Sequence, residues 1–167
     1  MSIASAHSPA NCYCGSDTPY QQCCEPFHRY QSHAQSAEQL MRSRFSACVL
    51  KDIDYLLNTT HHSTRSLYCR DDLLDWLGQQ QWLSLKVVQH DVISSAQASV
   101  EFAAFYWPIQ QAKPLCQHRE YSRFLRELDD GVLKWFFVDG QDRPDLQIQR
   151  NQSCPCGSGK KHKKCCL

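Results

Sequence analysis

Ala98-Ser99-Val100-Glu101-Phe102-Ala103-Ala104-Phe105-Tyr106 carries apolar residues at every second position, through Ala98, Val100, Phe102, Ala104 and Tyr106. A period of two is what a strand with one buried face requires. Leu83, Leu85 and Val87 keep the same alternation upstream. Downstream, residues 115–128 form a third long strand and residues 131–138 a fourth, with Asp129-Asp130-Gly131 as the turn between them. Ahead of the strands the period lengthens to that of a helix. Leu40, Met41, Arg44, Phe45, Cys48 and Val49 recur at helical spacing behind a Ser36 N-cap, with Gln39 three residues on, and this predicts a helix over residues 37–50. Residues 52–58, with Ile53, Leu56 and Leu57 inward, and residues 66–80, with Leu73, Leu74, Trp76 and Leu77, give two more. Residues 26–35 read as polar and irregular. Three helices followed by a four-stranded antiparallel meander make an α+β domain over residues 26–142, its helices packed on one face of a curved sheet.

Outside that domain the two ends of the chain repeat each other. Cys12, Cys14, Cys23 and Cys24 share their spacing with Cys154, Cys156, Cys165 and Cys166, and Gly-Ser follows the second cysteine in both copies, as Gly15-Ser16 and Gly157-Ser158. A C-x-C pair on a tight turn and a C-C pair on the next turn supply four thiolates, the donor set of a closed tetrahedral zinc site. Two structural zinc ions are therefore expected, in knuckles at residues 1–25 and, after a polar linker that begins near Asp142, at residues 143–167. Disulfides and free or redox-active thiols are the alternatives. Disulfides need an oxidising compartment, and residues 1–10 have neither the basic start nor the apolar run of an export signal. Eleven cysteines without such a signal point to a reduced, cytoplasmic, metal-binding protein.

Arg150-Asn151, Cys154-Pro155-Cys156-Gly157-Ser158-Gly159-Lys160-Lys161 and Lys164-Cys165 closely resemble the SEC-C motif, the zinc-binding tail of the preprotein translocase motor SecA. A chain with one such motif at each end and a compact middle looks like the YchJ family. Leu40-Met41-Arg42-Ser43-Arg44-Phe45, Asp54-Tyr55, His61, Glu120, Ser122-Arg123-Phe124, Trp135 and Asp139-Gly140 are similar to that family's recurring pattern. The resemblance implies a nuclear transport factor 2-like (cystatin-like) cone for residues 26–142 and carries no catalytic assignment. By analogy with the SecA tail it implies a protein partner, a chaperone such as SecB or the ribosome.

Charge is unevenly placed. Residues 1–142 hold 12 Lys+Arg against 16 Asp+Glu, whereas residues 143–167 hold 6 against 1. Lys160, Lys161, Lys163 and Lys164 either present a basic face to a protein or nucleic-acid partner or offset the charge of a tetrathiolate metal site. A hydrophobic share of 42% fits a globular core, and no window is long enough to span a bilayer.

Within the middle domain, alternation along the third strand puts Cys116, His118, Glu120, Ser122 and Phe124 on one face. Arg42, Arg44, His118, Glu120, Ser122 and Trp135 are the candidate pocket residues. Glu120 is either a general base in a ligand pocket or one half of a buried ion pair with Arg42 or Arg44. His61-His62, with Asp71 or Asp72 nearby in sequence, lacks a zinc-ligand spacing and reads as loop. Cys48, Cys69 and Cys116 read as small buried hydrophobes. There is no phosphate-cradling glycine loop and no nucleophile elbow. The sequence thus leaves an interaction scaffold and a ligand-binding or enzymatic cone both open.

Overall fold

Ser36 starts the principal helix as its sequence requires. The computed structural model describes residues 11–110 and 115–167; the stretch read above for an export signal lies outside the described residues. Ser36 Oγ accepts a hydrogen bond from Gln39 N–H, and the Gln39 side chain reaches back to the N–H of Gln35. These bonds satisfy donors that a helix start leaves open. The helix itself, α2, runs over Ala37–Leu50 after the one-turn α1 (Glu25–His28) and is followed by α3 (Ile53–Asn58), capped by Asp52. Lys51, with φ +57°, ends α2 in a left-handed conformation.

The expected helix over residues 66–80 is shorter, Arg70–Gly78 (α5), and a separate turn, α4 (His62–Arg65), precedes it. The division has a local cause. Thr60 bridges Phe137, His61 N–H donates to Phe137 O at 2.7 Å and Thr64 Oγ donates to Val138 O at 2.7 Å. These bonds pin the chain to the sheet where a continuous helix would have to leave it.

Strands β1 (Gln80–Val92), β2 (Gln97–Pro108), β3 (Cys116–Asp129) and β4 (Val132–Asp142) form one antiparallel meander in chain order. Two register shifts in β1 and one between β3 and β4 bend the sheet, as bulges do. The first of them sets Leu83 outside the expected alternation, so Trp82, Leu85 and Val87 meet the core instead. Leu40, Phe45, Leu56 and Leu77 from the helices pack with Val100, Phe102, Phe124 and Phe137 from the sheet.

Part of the opposite sheet face is covered by the chain's own C-terminal segment, while Arg123 further along it is exposed. Gln117 exchanges two hydrogen bonds with Leu146, Arg119 donates to Pro144 O, and Arg143 lies over the Tyr121 ring. Ala103 and Phe105 are buried on that side. The residues expected to be a linker are thus a strap. Among the described residues no helix is long and apolar enough to cross a membrane.

Candidate metal centres and central pocket

The two cysteine-rich ends fold into the same small unit. Cys12 N–H donates to Thr18 O at 2.8 Å and Cys154 N–H to Lys160 O at 2.7 Å. Gly15 and Gly157 adopt φ of +82° and +81° at the reversal between the paired cysteines, a conformation open to glycine at little cost. A single 3₁₀ turn then carries the C-C pair back, Tyr20–Gln22 in one unit and His162–Lys164 in the other.

In each unit the four sulfurs lie within 4.8 Å of one another. Sulfur–sulfur separations are 3.6 Å for Cys14–Cys23, 3.9 Å for Cys23–Cys24, 3.4 Å for Cys156–Cys165 and 3.7 Å for Cys165–Cys166. Four ligands at about 2.3 Å from a tetrahedral metal stand about 3.8 Å apart, so the donor set fits a metal ion. No disulfide joins any cysteine. Ser16 Oγ and Ser158 Oγ each sit 3.1 Å from a cysteine sulfur, Cys23 and Cys165, where a hydroxyl can donate to a thiolate. Burial pushes the Cys156 thiol up, but hydrogen bonds from Ser158 and the neighbouring thiols outweigh it and bring the group down to about 6.

The units differ in how they meet the domain. In the N-terminal one, Arg42 Nη1 donates to Cys14 O at 3.0 Å and Cys12 Sγ lies 3.6 Å from Ser46 Oγ. A buried relay adds to this: Tyr20 OH donates to His28 Nδ1 at 2.9 Å, and His28 Nε2–H donates to Ser43 O at 2.9 Å. Burial lowers the His28 pKa, which favours the neutral ring, and the Ser43 carbonyl places its proton on Nε2. Sequence reading missed His28, because residues 26–35 carry no periodic signal and α1 is only four residues long. The C-terminal unit meets the sheet through a hydrogen bond from Ser84 Oγ to Pro155 O. Its Lys160, Lys161, Lys163 and Lys164 are exposed, and none forms an ion pair with a described residue.

Between the helices and the sheet lies a cavity of about 290 Å³. Arg44, His118, Glu120 and Ser122 line it, together with Phe45, Cys48, Tyr68, Trp76, Trp82, Phe102 and Phe137. Two candidates are elsewhere. Arg42 is two residues from Arg44, which on a helix turns it to the opposite side, toward the N-terminal knuckle and Glu38. Trp135 shares the inner sheet face but lies further along it, its Nε1–H donating to Gln35 O at 3.3 Å.

The ion pair between Glu120 and Arg42 or Arg44 does not form. Glu120 accepts from His118 Nε2–H at 3.2 Å and from Ser122 Oγ–H, and its carboxyl lies against Gly140, where a Cβ would overlap it. Burial raises the Glu120 pKa, but the His118 and Ser122 hydrogen bonds and the nearby positive charges of His118 and Arg44 outweigh it, so the group stays an anion. The same bond to Glu120 raises His118. Arg44 instead gives Nη1 to Leu56 O and Thr59 Oγ, both at 2.7 Å, and stacks over Phe137 at 4.5 Å.

His61 and His62 face Glu127, not Asp71 or Asp72. His61 Nε2 is 2.9 Å from a Glu127 oxygen, off the axis of an aligned N–H bond, while its Nδ1 is held by Ser63. The three side chains place ligand atoms within 4.8 Å, as do His118, Glu120 and Asp142. Of the single cysteines, Cys48 lines the cavity with its thiol pushed by burial up to about 12, whereas Cys69 is exposed at the start of α5.

Comparison with known proteins matches this architecture. Residues 36–140 match the family described as YchJ, middle NTF2-like domain, and residues 150–167 match the SEC-C motif. A UPF0225 protein of Vibrio cholerae is 40% identical over 157 residues, covering 93% of this chain and 99% of its own length. One from Actinobacillus succinogenes is 41% identical over 158 residues, covering 94% and 96%. The crystal structure of a SEC-C motif containing protein from Psychrobacter arcticus superposes with a TM-score of 0.70 at 31% identity, over 95% of this chain and 96% of that one. The solution structure of a SEC-C motif containing protein from Rhodopseudomonas palustris gives 0.71 at 34%, over 80% and 99%. With its helices on a four-stranded antiparallel sheet and a cysteine cluster at each end, the chain belongs to the UPF0225 family, whose YchJ-type middle domain has the NTF2-like fold.

Proposed function

We propose that both cysteine clusters hold zinc as a structural ion and that the chain is an adaptor of the cytoplasm, docking an acidic protein surface through its C-terminal knuckle. Zinc suits four thiolates with no open position, and each knuckle is too small to bury a core of its own. The contrast between the two ends supports the docking role. The N-terminal knuckle spends its polar contacts on α2, whereas the C-terminal one turns four lysines to solvent without a carboxylate partner among the described residues. A chaperone- or ribosome-associated protein is the partner that the SEC-C analogy favours.

The test is a titration of the full chain with polyglutamate and, separately, with single-stranded polyuridylate at rising salt. Binding of polyglutamate that weakens with salt and is lost when the four lysines become glutamine supports the adaptor. Preference for the RNA would replace the protein partner by nucleic acid. Binding of neither would remove the docking role.

A second reading is favoured by the cavity. The Glu120–arginine pair that would make the middle domain an inert scaffold is absent, and the cavity walls combine aromatic rings with a few converging polar groups, the pattern of a small-molecule site.

A further inference from the structure

Resting on that second reading, we infer that the cavity of the middle domain takes a small organic anion, an aliphatic or aromatic monocarboxylate whose charged end meets Arg44. Arg44 lines the cavity, yet no carboxylate of a described residue lies within ion-pair distance of it. Its hydrogen bonds all leave from Nη1, to Leu56 O, Thr59 Oγ and, at 3.4 Å, Thr60 Oγ. Nε and Nη2 make no hydrogen bond to a described residue. A guanidinium presents its N–H groups as a planar fork suited to a carboxylate, and this one is half-buried with no counter-ion within ion-pair distance. An anionic ligand corrects both.

The other charged groups of the cavity do not supply that counter-ion. Glu120 is committed to His118 and Ser122 and is wedged over Gly140. Its charge is balanced within the pair whenever His118 is protonated, and the same bond raises the His118 pKa. Asp142 approaches His118 Nδ1 only at 3.9 Å and is largely exposed. Burial keeps the Cys48 and Tyr68 side chains neutral. Arg44 therefore has no direct counter-ion, Glu120 acting on it only from beyond ion-pair distance, and protonation of His118, which offsets the Glu120 charge, leaves the cavity net positive.

Size and walls set the rest of the ligand. At about 30 Å³ per water-sized group, 290 Å³ holds a molecule of about ten non-hydrogen atoms. Phe45, Phe102, Phe124 and Trp82 supply apolar walls. Trp76, 39% exposed, lines the cavity and packs edge-on to His118 at 5.8 Å.

The experiment is calorimetric titration of the full, metal-loaded chain at pH 6 with cyclohexanecarboxylate, cyclohexylmethanol and cyclohexylmethylamine. The carboxylate is expected to bind saturably and at least about ten-fold more tightly than the alcohol, roughly one hydrogen-bonded charge contact, and the amine not at all. Arg44→Gln is expected to bring the carboxylate down to the level of the alcohol. Because Arg44 also holds the end of α3, the three-probe comparison on the unmodified chain decides the matter if that variant does not fold. Ala104→Leu, which fills the cavity without touching Arg44, should abolish binding. Equal or tighter binding of the alcohol or amine would overturn the anionic class while leaving the cavity a ligand site. Binding of none of the three would overturn both.

Discussion

Arg42 ties the principal helix to the N-terminal cysteine cluster: its Nη1 donates to Cys14 O at 3.0 Å while Nε pairs with Glu38 at 2.8 Å. The Glu38 pair is a partly exposed i,i+4 contact of small value, so the bond to Cys14 carries the consequence. Replacing Arg42 by Ala is expected to lower stability by about 1–2 kcal/mol. It should also speed metal loss to a chelator from one of the two clusters only. Thermal melting and chelator-release kinetics check this; equal acceleration at both clusters would show that the contact does not act locally.

Gly140 has a packing role that its sequence context does not reveal. A methyl group there would overlap the Glu120 carboxyl, so Gly140→Ala must push Glu120 away from His118 and Ser122. Overpacking of this kind costs about 1–3 kcal/mol. The displaced carboxylate enters the cavity, and binding of cyclohexanecarboxylate should fall with it. Unchanged stability and unchanged binding would show that Glu120 is not held as described.

The His118–Glu120 pair should leave a pH signature. Glu120 is lowered in the fold, so its contribution is present above the unfolded carboxylate pKa and is lost as pH falls through the folded value. His118 is raised, so its contribution is present below the unfolded imidazole pKa and is lost as pH rises through the folded value. The pair is worth most between those unfolded values, about 4.3 and 6.5. The difference in melting temperature between the parent chain and Glu120→Gln should therefore peak near pH 5–6 and shrink toward pH 8. His28, lowered by burial at a distant site, cancels in that difference. A difference that grows steadily to pH 8 would contradict the assignment.

Legibility in the sequence followed the range of the interaction involved. Helix α2 was readable to the residue, Ala37–Leu50, because Ser36, Gln39 and the 3.6-residue period are local. The paired cysteines were readable because a chelate imposes fixed spacing. Helices α1 and α4, four residues each, complete barely one turn and leave no period to detect. The β1 bulges shift Leu83 out of the pattern without any glycine or proline to announce them. Arg42 and Arg44 look equivalent in the sequence, and only the helix geometry sends one to the knuckle and the other to the cavity. The strap over the outer sheet face depends on pairs such as Gln117 with Leu146, 29 residues apart, which no local pattern encodes.

The central claim, two independent structural zinc knuckles, is tested most directly by the metal content of the full chain purified without added metal, beside Cys12→Ser and Cys165→Ser. Two zinc ions per chain are expected, falling to one in each variant with the middle domain still folded. A folded chain that contains no metal would contradict the account and would turn attention to thiol chemistry at Cys23-Cys24 and Cys165-Cys166.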